Sequence, residues 1–292
     1  MTAVETYRAL NRLARNRRRP FEEILTLYAL ERILGRLVQT RFKDDFVLKG
    51  GVLMAAYDLR RPTRDIDVAA VDLTLDQEHL TSMIEAVAAV PANDGLTLDA
   101  TSLTFTTIRD EHEYSGLRIS LVAGLYTAKL PVRLDVSTGD PIVPEPQTVV
   151  LPGLLGDDVE IAGYPLELVV AEKSVTILQR GTTSTRWRDF MDLGNFARTS
   201  SFDAARLLES IEKVAAHRQV DLRPLEDVVA GYPEIAQRPW TLWRRKTRID
   251  DGVHEAFANQ LSDVLGFVGP LFAGQITGGT WDPSAREWIT PP

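Results

Sequence analysis

Two aspartates one residue apart, Asp65 and Asp67, are the residues of this chain whose types and spacing most directly suggest chemistry. They lie in the run 64–68, which has the alternating composition of a β-strand. Because residues i and i+2 of a strand point to the same face, both carboxylates would face one point. Oxygen-only clusters suit Mg²⁺ (or Mn²⁺), which is often completed by substrate phosphates. The pair therefore predicts a divalent-cation site that holds a nucleotide.

A glycine pair, Gly50-Gly51, ends 13 residues before Arg64, the first residue of that run. Neither glycine has a Cβ, so the backbone there could approach a phosphate closely. A third acid, Asp135, lies in the alternating run 131–137. Each feature alone has a plain alternative, because a glycine pair is commonly a turn and an Asp-x-Asp is commonly a solvated strand edge. Their combination favours metal-dependent nucleotidyl transfer.

Composition sets the broad class of the protein. The chain has 292 residues, enough for one large or two modest domains, and it contains no cysteine. Disulfides, thiolate zinc sites and cysteine nucleophiles are thereby excluded. No apolar run approaches the ~20 residues that a bilayer span needs, and the arginine-rich start lacks the apolar core of a secretory signal. We expect a cytoplasmic protein without a membrane segment.

The charge of the chain is unevenly distributed. A net charge of −8 argues against indiscriminate binding of nucleic acid. Two segments nevertheless are basic and are candidate RNA-binding patches. The N-terminal patch contains Arg8, Arg12, Arg15, Arg17, Arg18 and Arg19, and the C-terminal patch contains Arg238, Arg244, Arg245, Lys246 and Arg248. Trp240 and Trp243 interleave with the second patch and could stack on bases. A solvated helix face over two core tryptophans is the alternative interpretation.

The elements that must position these residues follow from periodicity and turn signals. Helices are predicted over 3–15, from Pro20 onwards and over 75–90, and strands over 46–48, 66–71, 96–108, 117–126 and 131–137. Residues 109–116 read as a hairpin turn and 139–165 as a proline-rich crossover. Further helices are predicted over 166–180, 187–199, 203–217 and 254–266, with no regular structure over 278–292. This order indicates an α+β protein with a mixed sheet flanked by helices in a lobe over 1–158, and a mostly helical lobe over 159–292.

The motifs resemble those of the polymerase-β-like nucleotidyltransferase superfamily, and more closely those of the AbiEii family, the toxins of type IV toxin–antitoxin systems, which includes the MenT toxins. Three features carry the closer resemblance. They are Lys49-Gly50-Gly51 with the run 61–67, Glu172-Lys173 on a helix that ends at Arg180, and the Arg-Asp-x-x-Asp-Leu run over 188–193. Together they span roughly residues 46–196.

The resemblance implies roles for individual residues. Asp65 and Asp67 would bind Mg²⁺ (or Mn²⁺) that holds a nucleoside triphosphate, and Gly50 and Gly51 would contact its phosphates. Arg64 would lie beside the triphosphate. Lys173 would bind phosphate, and Asp189 would be an acid of the second lobe near the active site. Asp135 would be the third metal ligand or the base that accepts the proton of the acceptor hydroxyl.

The resemblance also implies a function: a toxin that transfers a nucleotide from an NTP to RNA, in particular to the 3′ CCA end of tRNA, and so blocks aminoacylation and translation. An antitoxin encoded nearby would be its partner, and we expect a monomer. Three alternatives stay open at this point. They are nucleotidylation of a protein hydroxyl, transfer from a nucleotide sugar, and non-catalytic nucleotide binding by a protein that sequesters a partner.

Overall fold

The computed structural model describes residues 1–71, 76–110, 113–138, 141–249 and 252–290. By internal contacts the chain divides into two compact units. The first is Met1–Asp140 with Pro146–Tyr164, and the second is Pro141–Glu145 with Pro165–Pro292. The boundary expected from the sequence fell between residues 158 and 159, before the last strand of the first unit.

The first unit combines a mixed sheet with flanking helices. Its elements are α1 (Ala3–Asn16), α2 (Phe21–Leu37), β1 (Phe46–Lys49), α3 (Gly50–Leu53), a 3-10 turn (Met54–Tyr57), β2 (Asp65–Ala70), α4 (Gln77–Ala89), β3 (Leu96–Asp110), β4 (Glu113–Leu125), β5 (Ala128–Ser137), β6 (Gln147–Leu151) and β7 (Val159–Gly163). Within the described residues, these strands form one seven-stranded sheet in the order β3-β4-β5-β2-β1-β7-β6. The β2/β5 and β1/β7 pairs are parallel and the other neighbours are antiparallel. The predicted α+β class with a mixed sheet is confirmed.

The helices begin where the sequence predicts. Thr2 caps α1 in a capping box with Glu5, and Pro20 precedes the first turn of α2. The side chain of Asp76 accepts a hydrogen bond of 2.7 Å from the backbone N–H of His79, so Asp76 is the N-cap of α4. Residue 75, where that helix was expected to begin, lies outside the described part of the chain, and α4 begins at Gln77.

Strand alternation separates the core from the polar face of the sheet. Ile66 and Val68 of β2 are at most 1 % exposed, whereas Asp65 and Asp67, which alternate with them along the strand, are partly exposed. Strand β5 alternates in the same way, and α2 packs against it. Burial of the apolar side chains, worth about 1.5–3 kcal/mol each, therefore fixes which face of the sheet carries the acids.

A buried glutamate ties α2 to two loops of the first unit. Glu31 is 2 % exposed, and its carboxylate accepts hydrogen bonds from Arg32 at 2.9 Å, Arg60 at 3.1 Å and the backbone N–H of Leu154 at 2.9 Å. A buried charge is tolerated only when it is paired and hydrogen-bonded in this way. Arg60 belongs to the connection between the 3-10 turn and β2, so Glu31 helps to fix the approach to the acidic strand.

The structure corrects the proline-rich crossover predicted over 139–165. Strands β6 and β7 lie within it, and β7 pairs with β1 through Leu48 and Gly163. Both strands have only five residues, and the surrounding prolines dominated the local signal. The predicted hairpin turn over 109–116 is also too long, because β3 continues to Asp110 and β4 begins at Glu113, with 111–112 outside the described residues.

The second unit is mostly helical, as predicted. Its elements are α5 (Leu166–Arg180), a 3-10 turn (Gly181–Thr183), α6 (Trp187–Thr199), β8 (Phe202–Asp203), α7 (Ala204–His217), α8 (Leu225–Val228), α9 (Tyr232–Thr247), α10 (Phe257–Phe272), β9 (Thr280–Asp282) and β10 (Glu287–Ile289). Helices α5 and α6 have the predicted bounds, and α7 and α10 lie close to theirs. Helix α9 was not predicted, because Pro233 and Pro239 interrupt its pattern.

The prediction of no regular structure over 278–292 is wrong. Strands β9 and β10 form a hairpin, and β9 also pairs with β8. Trp281 is 2 % exposed, and its indole N–H donates to the carbonyl of Ala197 at 2.8 Å. Three-residue strands are too short to show a periodic pattern in the sequence. The tryptophans of this segment were the residues that could have indicated ordered structure.

None of the helices in the described part of the chain combines the length and the hydropathy that crossing a bilayer requires.

Candidate active site

A row of four charged residues crosses the sheet of the first unit. Lys49 on β1 lies opposite Asp67 on β2, Asp67 opposite Asp135 on β5, and Asp135 opposite Arg118 on β4. The two carboxylates are therefore neighbours in the middle of the row, with a cation at each end. Asp65 lies two residues before Asp67 on the same face, as the spacing predicts.

The position of Asp67 opposes its ionisation. Desolvation of its carboxylate, together with the negative charges of Asp65 and Asp135, raises its pKa from 3.8 to about 6, against the Gly51 amide and Lys49, which lower it. A carboxylate with a raised pKa beside two others marks a site that favours a cation.

The glycine pair packs directly against this carboxylate. Gly50 has φ +65°, and a Cβ built on it would lie 2.1 Å from Oδ2 of Asp67. The backbone N–H of Gly51 donates to the same oxygen at 3.4 Å, and a Cβ at Gly51 would lie 2.5 Å from Oγ1 of Thr63. Both positions therefore require glycine for local steric reasons. Contact of these glycines with a phosphate remains a prediction.

Asp135 is already engaged by an arginine. Arg118 donates from Nε to Oδ1 at 2.7 Å and from an Nη atom to Oδ2 at 2.6 Å, a bidentate pair that raises the pKa of Arg118 above its ordinary value. Within the described residues, no group of three or more Asp, Glu, His or Cys side chains is arranged to hold a metal ion. The oxygen-only pair of Asp65 and Asp67 fits a divalent cation, and a ligand role for Asp135 remains a prediction.

Two arginines lie near the acidic strand. Arg64, expected beside the triphosphate, is exposed. Arg61 is closer to the glycine turn, because its Nη1 would lie 3.4 Å from a Cβ at Gly51. Sequence reasoning missed Arg61, although it belongs to the same motif.

The second unit contains a compact ion-pair cluster on α5 and α6. Nζ of Lys173 lies 2.7 Å from Oδ1 of Asp189 and 2.8 Å from Oδ2 of Asp192, and Arg186 pairs with Asp189 at 3.0 Å. The side chain of Lys173 is 14 % exposed and that of Asp192 1 %. The motif residues Lys173 and Asp189 are thus brought together. Asp192 was missed, although its i+3 spacing from Asp189 places both on one helix face.

Among the residues that the structure describes, most arginines of the N-terminal basic patch form no ion pair. Arg8, Arg12 and Arg15 are exposed on α1 at i, i+4 and i+7, which is one helix face. Arg17 and Arg18 follow and are also exposed. Arg19, in contrast, donates two hydrogen bonds of 2.9 Å to the carboxylate of Glu23.

The C-terminal basic patch lies on α9 and just beyond it. Arg238, Arg245, Lys246 and Arg248 are exposed, and Arg244 is half-buried. Trp240 is fully buried and Trp243 stacks on it with ring centroids 5.1 Å apart. Base stacking by Trp240 is therefore excluded, and the core alternative holds for this residue. The same helix exposes Ile235 and Leu242, at 64 % and 58 %.

Arg118 and Lys49 had no assigned role in the sequence analysis. Lys49 was part of the motif but was not distinguished from the glycines. Arg118 could not have been found from spacing, because its proximity to Asp135 depends on the register of β4 on β5.

Comparisons with known proteins give a match to one protein family and a likeness to two solved structures. The model of one protein family, described as nucleotidyl transferase AbiEii toxin of type IV TA systems, matches residues 32–269. Two solved structures from Helicobacter pylori are similar in fold. One is described as a candidate nucleotidyltransferase, with 18 % identity and a TM-score of 0.42 over 76 % of this chain and 96 % of that one. The other is JHP933, with 17 % identity and a TM-score of 0.43 over 82 % of this chain and 97 % of that one. No curated protein sequence gives a significant match.

Replacement of Gly50 by alanine tests the contact between the glycine turn and Asp67. The new Cβ would meet Asp67 in a backbone conformation that L residues rarely adopt, so we expect the free energy of unfolding to fall by about 2 kcal/mol or more. Gly266→Ala is the control, because a Cβ at Gly266, inside α10, meets nothing within 4 Å. The control should gain up to about 1 kcal/mol. Equal urea midpoints for Gly50→Ala and the wild type would contradict the contact.

The raised pKa of Asp67 predicts a pH-dependent effect of Asp67→Asn. The pKa of Asp67 is raised from 3.8 to about 6. The free energy of unfolding is therefore fully lowered at a pH above about 6, where Asp67 is ionised in both the folded and the unfolded state. It is not lowered at a pH where Asp67 is protonated in both states. Without divalent cation, Asp67→Asn should therefore stabilise the protein by about 2–3 kcal/mol at pH 7.5, and the gain should shrink towards pH 4. Urea unfolding at both pH values measures this. A destabilised variant at pH 7.5 would show that the ionised carboxylate is favoured in the fold.

Proposed function

The chain belongs to the AbiEii family of nucleotidyltransferase toxins, and we propose that it transfers a nucleotide from an NTP to the 3′ CCA end of tRNA. Membership of this family makes it a nucleotidyltransferase of a type IV toxin–antitoxin system, with an antitoxin as partner. The observation that carries the proposal is the pair Asp65 and Asp67 beside the Gly50-Gly51 turn.

The chemistry is displacement at a phosphorus atom. A ribose hydroxyl of the acceptor attacks the α-phosphorus of the NTP, a phosphodiester bond forms, and pyrophosphate leaves with the electron pair of the broken bond. A bound Mg²⁺ (or Mn²⁺), held by Asp65 and Asp67, would supply neutralisation of the phosphate charge.

The other residues of the first unit act by position and charge. The glycine turn presents backbone without side chains to the phosphates, and Arg61 and Arg64 supply cations for the triphosphate. Asp135 is the candidate base for the proton of the attacking hydroxyl or a third ligand. In the second unit, Lys173 is the candidate residue for phosphate binding. Its ion pairs with Asp189 and Asp192 fix the position of its ammonium group.

The proposal of an RNA acceptor rests on α1. Arg8, Arg12 and Arg15 form an exposed basic face on a chain whose net charge is −8. A stripe of guanidinium groups on a helix whose sequence contains one acidic residue, Glu5, suits a phosphodiester backbone. Modification of the CCA end would prevent aminoacylation and stop translation in the cytoplasm. We propose that the active form is a monomer.

A protein acceptor is the second candidate. The observation that favours it is the exposed face of α9, where Ile235 and Leu242 alternate with Arg238 and Arg245. Exposed apolar residues of this size suit a protein surface better than a phosphate backbone. The chemistry at the NTP would be unchanged.

Transfer of label distinguishes these functions. Purified protein is incubated with each α-labelled NTP and Mg²⁺ and, in separate reactions, with purified total tRNA or with the heat-inactivated proteins of a cell extract, beside the isosteric variant Asp65→Asn. We expect label on tRNA from wild type and a loss of at least about 100-fold in the variant, because a ligand of the charge-stabilising centre is removed. Label that survives RNase but not protease would identify a protein acceptor instead. Label on RNA that does not depend on Asp65 would contradict the site.

The basic face of α1 makes a separate prediction about RNA binding. A triple variant with Arg8→Gln, Arg12→Gln and Arg15→Gln should raise the KM for tRNA about tenfold or more. The slope of the logarithm of the binding constant against the logarithm of the salt concentration should become shallower by about 2–3. The KM for NTP should not change. A control variant replaces three exposed positive charges elsewhere, Lys129, Lys213 and Arg223, with Gln. If the control and the α1 variant lose affinity equally, only net charge matters and α1 is not an RNA-binding face.

A further inference from the structure

Arg118 and Asp135 form the most strongly engaged pair in the acidic row. Both carboxylate oxygens of Asp135 accept a guanidinium hydrogen bond, at 2.7 and 2.6 Å. This geometry is the bidentate form that makes arginine–carboxylate pairs specific as well as strong. The same carboxylate lies opposite Asp67 in the β2/β5 register. The third acid of the proposed site is thus bound to a cation that the protein itself supplies.

The two partners differ in their freedom to move. The side chain of Arg118 is 36 % exposed and that of Asp135 16 %. Asp135 lies within the sheet between two paired strands, whereas the guanidinium lies at the end of a long side chain. Arg118 can therefore turn towards an anion in the solvent-facing part of the site without displacement of the strand that carries Asp135.

Proximity in the sequence does not produce this pair. Arg133, two residues before Asp135 on the same strand and face, is exposed and forms no ion pair in the described part of the chain. Arg118 reaches Asp135 because the β4/β5 register places them side by side. The fold therefore pairs Asp135 with one particular arginine although another lies nearby.

We propose that Arg118 is a positioning residue that couples nucleotide entry to the release of Asp135. It holds Asp135 in the bidentate pair until a nucleoside triphosphate enters, and it then moves to the phosphate oxygens, which carry more negative charge than a single carboxylate. Asp135 becomes available to the divalent cation or to the acceptor hydroxyl only at that moment. This inference rests on the proposed function, because it assumes that Asp65 and Asp67 hold the cation.

Titration of the full-length protein with Mn²⁺, followed by EPR in the absence of nucleotide and RNA, tests the proposal. Arg118→Gln should bind Mn²⁺ about fivefold more tightly than wild type, because the competing cation is gone; the partial exposure of the pair keeps the gain modest. A non-hydrolysable NTP should tighten Mn²⁺ binding in the wild type more than in the variant. Arg118→Lys, which keeps the charge but not the bidentate geometry, should be intermediate.

Two controls separate this role from a general charge effect. Lys129→Gln removes an exposed positive charge from the same strand, six residues before Asp135, without breaking the pair, and it should change the Mn²⁺ affinity less than twofold. In an Asp135→Asn background, Arg118→Gln should change it much less than in the wild type, because the bidentate coupling requires both partners and only the longer-range attraction of Arg118 to Asp65 and Asp67 is left.

Three results would overturn the proposal. An unchanged or weaker Mn²⁺ affinity in Arg118→Gln, with an unaltered thermal unfolding curve that shows the variant to be folded, would mean that Arg118 does not compete with the cation for Asp135. An equal gain in the Asp135→Asn background would assign the effect to net charge. Absence of Mn²⁺ binding in the wild type with and without NTP would overturn the proposed metal site itself, whereas RNA labelling that fails while the Mn²⁺ results hold would overturn only the acceptor.

Discussion

The constraint on which the first unit depends is the placement of like charges on adjacent strands. Asp67 and Asp135 are direct neighbours in the β2/β5 ladder, and neighbouring strands are about 4.8 Å apart. At an effective dielectric constant of about 20, two full charges at that distance repel by about 3 kcal/mol. The flanking cations Lys49 and Arg118 offset part of this cost, and the raised pKa of Asp67 shows that they do not remove it. A concentration of negative charge of this kind suits a divalent cation, which nucleotidyl transfer generally uses.

The rest of the unit holds this unfavourable arrangement in place. The opposite face of β2 and β5 is apolar and buried, so rotation of either strand to separate the acids would expose core residues. The glycine turn closes against Asp67 from one side, and Glu31 fixes the connection that leads into the acidic strand. These contacts stabilise the fold and offset the cost of the acidic row.

The sequence alone was sufficient to predict the motif residues, but it was insufficient to predict the side chains that pair with them. The Asp-x-Asp spacing, the glycine pair and the helices that carry Lys173 and Asp189 could be predicted, because strand and helix periodicity and cap residues are local signals. The arrangement of Arg118 on Asp135 could not, because it depends on the register between strands that the chain does not specify locally. Strands β6, β7, β9 and β10 were missed for a related reason: short strands are specified by pairing rather than by pattern. The role of Trp240 was ambiguous in the sequence. Its place in the core follows from its contacts with aromatic side chains outside α9, which only the structure shows.

Family membership and the geometry of the first unit support the same central claim, that Asp65 and Asp67 hold a divalent cation for an incoming nucleotide. The most direct measurement is a crystal structure of the protein with Mn²⁺ and a non-hydrolysable NTP, with anomalous data collected to locate the manganese. We expect an anomalous peak at coordination distance from carboxylate oxygens of both Asp65 and Asp67, with the triphosphate against the Gly50-Gly51 turn. Manganese bound at other carboxylates, such as Asp189 and Asp192, with none at Asp65 and Asp67, would contradict it.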